Sequence, residues 1–235
     1  MAYENIPNEL RALKQWGLFQ KIWQPERNKY TKIPHNALDG GAGRTNDPST
    51  WTDYQTALKA LQTYKMDGLA FYFANGYVGL DIDHIGDELE RYAAQDYQQN
   101  EVQDVLTMTK SYVEISLSGK GIHAIFKGKI PGDRRRKGNV EMYESGRFFA
   151  LTGKTIGPYS DRINTPQPQV MKLIYKHYFG ESNVIKLPNQ APIRPNDLSV
   201  DEIINARNFH GLVNVSRCLC TVVGRASILP IQKLI

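Results

Sequence analysis

"DGLAFYFANGYVGLDIDHIGD", residues 67–87, is the stretch on which the reading of this chain turns. Two apolar runs flank Asn75-Gly76, a dipeptide suited to tight turns, so the segment predicts a β-hairpin. The second run then does something unusual for a buried strand: it carries Asp81 and Asp83. Strand side chains alternate between faces. Val78, Leu80 and Ile82 therefore share one face, and Gly79, Asp81 and Asp83 the other. The two carboxylates lie roughly 7 Å apart along the strand. Like charges so placed repel, and a divalent cation with a preference for oxygen ligands relieves the repulsion. A solvated strand face bearing two acids is the plainer alternative.

On either side of this stretch the pattern is mixed. "NELRALKQ" reads as a short helix entered at Asn8, and "WGLFQKIW" as a strand. "KIPHNALDGGAGRTNDPSTW" reads as a loop, and "DPSTWTDYQTALKALQTYK" as a helix opened by its Asp-Pro-Ser-Thr signal. A polar helical segment is expected over 86–109. Four strand-like runs follow: "YVEISLS", "GIHAIFKG", "NVEMY" and "RFFALTG". "PQVMKLIYKHYF" reads as a further helix. Strands and helices in this order predict an α+β fold on a mixed, mostly antiparallel sheet flanked by helices. The expected organisation is a main domain over 1–180, a linker over 181–198 and a helical accessory segment over 199–235. That last segment reads as truncated. Its end holds both cysteines, lacks acidic residues and has no clear period, as a frameshifted reading would.

The 235 residues carry a net charge of +5, which suits a polyanionic partner. Two cysteines one residue apart give neither a disulfide framework nor a zinc-site spacing. The N-terminus has no hydrophobic signal core, and no apolar run reaches membrane-spanning length, so a cytoplasmic protein with no membrane partner is expected.

Two further clusters bear chemistry. In "EISLSGKGIHAIF" a strand turns through Gly119-Lys120-Gly121 and returns with His123. Ser118, Lys120 and the turn amides are candidates for binding phosphate, with His123 as an added donor. In "NVEMYESGRFFALTG", Glu141 alternates with the apolar Val140 and Met142, and Arg147 opens the next strand. Each cluster also has a plain reading, as an ordinary hairpin and as a surface ion pair. "GKT" at 153–155 mimics the end of a P-loop, but the pattern needs glycine where Phe148 stands.

Taken together, Asp-x-Asp, Ser-Gly-x-Gly-x-His and a strand Glu ahead of "GRFFALTG" resemble the phage and mobile-element primase–polymerases of the archaeo-eukaryotic primase superfamily. The resemblance runs from about residue 7 to about 180 and takes in the early tryptophan strand, "NDPSTWTDYQTAL" and "GLDIDH". It departs at Leu117, where many relatives have proline, and in the tail. The resemblance implies a catalytic core with an RRM-like module and template-dependent nucleotidyl transfer in the replication of a phage, prophage or mobile element. It also implies two Mg²⁺ or Mn²⁺ ions held by Asp81, Asp83 and Glu141. Ser118 and His123 then contact the triphosphate, with Lys120 and Arg147 as helpers. Single-stranded DNA template and nucleoside triphosphates are the implied partners, with a replicative helicase as a further one. Lys29, Lys32, Arg44, Arg134, Arg135 and Arg136 are candidate template contacts, and Tyr30 or Trp51 candidate stacking residues, although a core role suits Trp51 better. No role attaches to His84. A metal-dependent nuclease, or an inactive module binding single-stranded DNA or nucleotides, uses the same residues and stays open.

Overall fold

A computed structural model describes residues 1–180; the expected linker and accessory segment lie outside the described residues. The strands form two sheets, and every pairing is antiparallel. The first has the order β2-β1-β3-β9, from Lys29–His35, Trp16–Gln24, Gly68–Tyr72 and Phe148–Leu151. The second has the order β5-β6-β4-β8-β7, from Tyr112–Ile115, Ile122–Lys127, Tyr77–Ile82, Val140–Tyr143 and Arg136–Lys137. Helices α1 (Asn8–Arg11), α2 (Tyr54–Thr63), α3 (Gly86–Ala93), α4 (Glu101–Thr109) and α5 (Pro168–Phe179) complete an α+β fold.

The hairpin expected over 67–83 does not form. Its turn is present: Tyr77 N donates to Ala74 O at 3.1 Å, and Asn75 and Gly76 have φ of 55° and 82°. Yet β3 leaves this turn for the first sheet and β4 for the second. Both flanks of β3 are taken by β1 and β9, and both flanks of β4 by β6 and β8. Each strand is also apolar on both faces over most of its length, as suits a strand inside packed layers rather than an exposed ribbon.

Three other expectations shift. The Asp47-Pro48-Ser49-Thr50 signal caps a 3-10 turn, and α2 starts one turn later under Asp53, whose carboxylate accepts from Thr56 N at 2.9 Å. The helical segment over 86–109 is two helices, the second capped by the Asn100 side chain accepting from Val102 N and Gln103 N. The loop expected from Lys32 begins as β2, which pairs with β1 along its whole length.

One apolar core spans both sheets. Trp16, Leu18, Leu69, Phe71 and Phe149 from the first meet Tyr77, Tyr112 and Ile125 from the second, beneath Tyr54 and Ala57 of α2. Packing is close at Gly79, where a Cβ would lie 2.3 Å from the Phe73 ring and 2.6 Å from Phe149. Trp51 is a core residue, stacked on Tyr72 at 5.0 Å with its indole N–H on Arg44 O. Among the described residues no helix is long and apolar enough to cross a membrane.

Candidate active site

The register of the second sheet sets five polar side chains in one transverse row. Glu114 of β5 opposes His123 of β6; His123 opposes Asp81 of β4; Asp81 opposes Glu141 of β8; Glu141 opposes Arg136 of β7. Directly opposed residues share a face, with Cβ atoms about 4.5–5.5 Å apart. Residues far apart in sequence thus become immediate neighbours, because β4 sits at the centre of its sheet.

The row is anchored at Glu114, which is fully buried. Its carboxylate accepts from Thr152 N at 3.0 Å and Gly153 N at 2.8 Å, just past β9, and from the Tyr112 hydroxyl at 2.7 Å. It therefore ties the two sheets together. His123 Nδ1 lies 3.0 Å from Glu114 Oε1. Both Glu114 oxygens already accept from other donors, which suits Nδ1 donating to it. The imidazole stacks on Phe149 at 4.4 Å, and its Nε2 points to Asp81, 3.8 Å from Oδ1.

That separation is too long for a hydrogen bond. Asp81 Oδ1 is shut off from solvent and has no hydrogen-bond partner among the described residues. Burial raises the Asp81 pKa; His123 and Lys32 pull it down, and Asp83 and Glu141 push it up. Glu141 is held from both sides, by the Tyr143 hydroxyl at 2.7 Å and by Arg136 Nε at 3.2 Å. Burial and the bond to Glu141 raise the Tyr143 pKa in turn. The exposed Arg147 guanidinium lies 5.0 Å from the Tyr143 ring centroid.

Asp83 follows the last residue of β4 and is exposed, its N–H donating to Asn139 O at 2.9 Å. Gly121 sits beside it. A Cβ on Gly121 would lie 2.5 Å from Ile82 O and 3.2 Å from Asp83 Oδ1. The absence of a side chain lets the Ser118–Gly121 turn close onto the Asp-x-Asp strand end. Within that turn Gly119 N donates to Ser116 O and Lys120 N to Ser118 Oγ, so two of the amides expected to face phosphate are used internally. The Ser118 and Lys120 side chains are exposed. His84 adopts φ 59°, and Ile85 N returns to Lys120 O, which locks the turn to the strand end.

The basic residues divide. Lys32 is within electrostatic reach of Asp81. Arg136 joins the row through Glu141, with its side chain 70% exposed. Arg134 instead donates to Phe179 O at the end of α5, and Arg135 pairs with Glu144 at 3.4 Å. Arg44 pairs with Asp47 at 3.8 Å. Among the described residues, no three His, Cys, Asp or Glu side chains already converge closely enough to hold an ion.

Sequence reasoning missed Glu114 and Tyr143. The signal for Glu114 was a lone carboxylate inside the apolar run "YVEI". The signal for Tyr143 was its place two residues on from Glu141 in one strand, which by alternation sets both side chains on one face.

No family model matches the chain. The DNA primase-polymerase of Nitratiruptor phage NrS-1 is 34% identical to it over 163 residues, 65% of this chain and 22% of that protein. The chain thus spans about a fifth of the length of the curated relative it matches. The similarity bears out the resemblance of this chain to the phage primase–polymerases.

Proposed function

We propose that the described domain is a template-dependent nucleotidyltransferase of the archaeo-eukaryotic primase type, the core of a primase–polymerase serving phage or mobile-element replication. The observation that carries this reading is the buried Oδ1 of Asp81, which no hydrogen bond from the described residues meets and which Glu141 and His123 flank. A carboxylate oxygen removed from water with no donor is costly unless a cation meets it. The donor set fits such a cation: Asp81, Asp83 and Glu141 offer hard oxygens, the ligands Mg²⁺ and Mn²⁺ take. Bound there, two such ions would lower the pKa of an attacking 3′-hydroxyl and neutralise the triphosphate.

The chain's own residues supply the rest. Ser118, Lys120 and Arg147 are exposed around the acids and suit phosphate oxygens. Glu114 holds His123 so that Nε2 faces Asp81. Lys32, Arg44 and Arg136 are the proposed template contacts: the Arg44 and Arg136 side chains stay 69% and 70% exposed despite their ion pairs, whereas Arg134 is held on Phe179 O and Arg135 is only 34% exposed against Glu144.

The test supplies labelled nucleotides, primed or bare single-stranded template, and Mg²⁺ or Mn²⁺. Extension that disappears in Asp81→Ala is expected. Shortened template identifies a nuclease, and binding without product a binding module. Full extension by both Asp81→Ala and Asp83→Ala discards the site.

Gly121→Ala probes the turn separately. Its methyl group meets the Ile82 carbonyl oxygen, which cannot rotate away. The turn must move, and overpacking of this kind costs about 1–3 kcal/mol. Nucleotide KM is expected to rise about tenfold or more, a 1.4 kcal/mol effect, while template affinity stays unchanged. An unaltered KM detaches the turn from nucleotide binding.

A further inference from the structure

The β1–β2 hairpin extends past the sheet that holds it. Pairing of β1 with β3 ends at Phe19–Gly68, whereas pairing with β2 continues to Gln24–Lys29. Among the described residues, 20–24 and 29–33 therefore form a two-stranded ribbon with no third strand beside it, tied at its base by Lys21 N donating to Asp67 Oδ2 at 2.6 Å. Such a ribbon is marginal in water by itself. Eight large hydrophobic side chains are exposed among the described residues, and four are on this ribbon: Ile22, Trp23, Tyr30 and Ile33. That concentration marks the ribbon as a surface with a partner.

Its two faces differ in chemistry. Trp23 opposes Tyr30 and Lys21 opposes Lys32, so these four side chains share one face. The rings meet edge to face at 5.0 Å, and Lys21 Nζ lies 5.9 Å from the Tyr30 centroid. Ile22 and Ile33 take the other face. Aromatic rings between ammonium groups suit a nucleic-acid single strand, whose bases stack while its phosphates meet the cations. A protein interface core, by contrast, is depleted in lysine. Lys32 also connects the ribbon to the site, since its charge is felt at Asp81.

We propose that the Lys21–Trp23–Tyr30–Lys32 face is the platform on which single-stranded nucleic acid stacks as it is led to Asp81. This rests on the nucleotidyltransferase reading for its direction, but its binding chemistry stands alone. Trp16 and Trp51 are buried, so Trp23 is the one exposed tryptophan of the three and reports directly on the face.

The experiment titrates the full chain with oligo(dT) in EDTA, without nucleotides, and follows tryptophan quenching and the anisotropy of a labelled strand. Quenching is expected, and it vanishes in Trp23→Phe while Tm holds. Trp23→Ala with Tyr30→Ala weakens binding about tenfold or more, as losing a stacked base does. Lys21→Ala with Lys32→Ala flattens the dependence of log K on log salt by about 0.7 per charge. Ile22→Ser with Ile33→Ser leaves oligo(dT) affinity unchanged. Unaltered affinity in the aromatic double variant, with thermal unfolding intact, overturns the platform. So does a change confined to oligomeric state, which makes the face a self-association surface. Oligo(dT) quenching without nucleotide incorporation by the wild-type chain sinks the polymerase reading and leaves the platform standing.

Discussion

Asp81→Asn is expected to abolish nucleotide incorporation and, in the same molecule, to raise the Tm of the metal-free protein. Losing a partner one shell out from a metal costs about 10–100-fold in affinity or activity. Removing a ligand's charge should exceed that, so a loss beyond about a hundredfold is expected. The stability gain follows from the electrostatics. Burial raises the Asp81 pKa from an ordinary 3.8, with Asp83 and Glu141 adding to the rise. Between that ordinary value and the raised one, the native state binds more protons than the unfolded chain. Stability therefore falls as pH climbs through the window, and above it the burial of Asp81 is a net cost. Asparagine removes the charge and keeps the shape. The Tm advantage of the variant should be present at pH 7 and vanish as pH falls towards 3.8 and Asp81 in the wild type protonates. Mn²⁺ should raise the Tm of the wild type and leave the variant unmoved, since only a form that binds the ion is stabilised by it. A variant less stable than wild type and equally responsive to Mn²⁺ would make Asp81 a structural partner of His123 instead.

The acids of the site were legible because strand alternation is a local property. Asp81 and Glu141 each interrupt an apolar alternation, and period two alone assigns their face. Their adjacency was not legible, because it depends on β4 receiving β6 on one flank and β8 on the other. The same non-locality undid the hairpin at Asn75-Gly76. The turn chemistry is correct, but which strand occupies each edge is decided by partners up to about eighty residues away in sequence, as Leu69 and Leu151 show. The arginine run failed in the opposite sense. Three consecutive side chains look like one patch in sequence, yet α5, Glu144 and Glu141 draw them to different partners. Glu114 shows the limit most clearly. Its donors, Thr152 N and Gly153 N, are backbone groups, which no side-chain pattern announces.

Glu114 is also where a conservative change should do the most damage to the fold. Its carboxylate accepts from two backbone amides, a tyrosine hydroxyl and an imidazole, and is wholly buried. In Glu114→Gln one oxygen becomes an NH₂ group. Whichever way the amide turns, that group confronts a donor: His123 and Thr152 N on one side, Tyr112 and Gly153 N on the other. Breaking a buried charged network at one member costs about 3–5 kcal/mol. At about 2–4 °C for each kcal/mol in a chain of this size, the Tm should fall by roughly 10 °C. Well below that Tm, function separates two roles for the residue. If Glu114 positions His123, nucleotide KM should rise about 10–100-fold, as when a histidine ligand loses its carboxylate. The double variant with His123→Ala should then be no worse in KM than His123→Ala by itself, because both changes remove one interaction. If Glu114 merely staples β5 to the end of β9, the two effects on KM add. Additive losses would confine Glu114 to the fold, and non-additive ones would extend the site one residue deeper than the sheet surface.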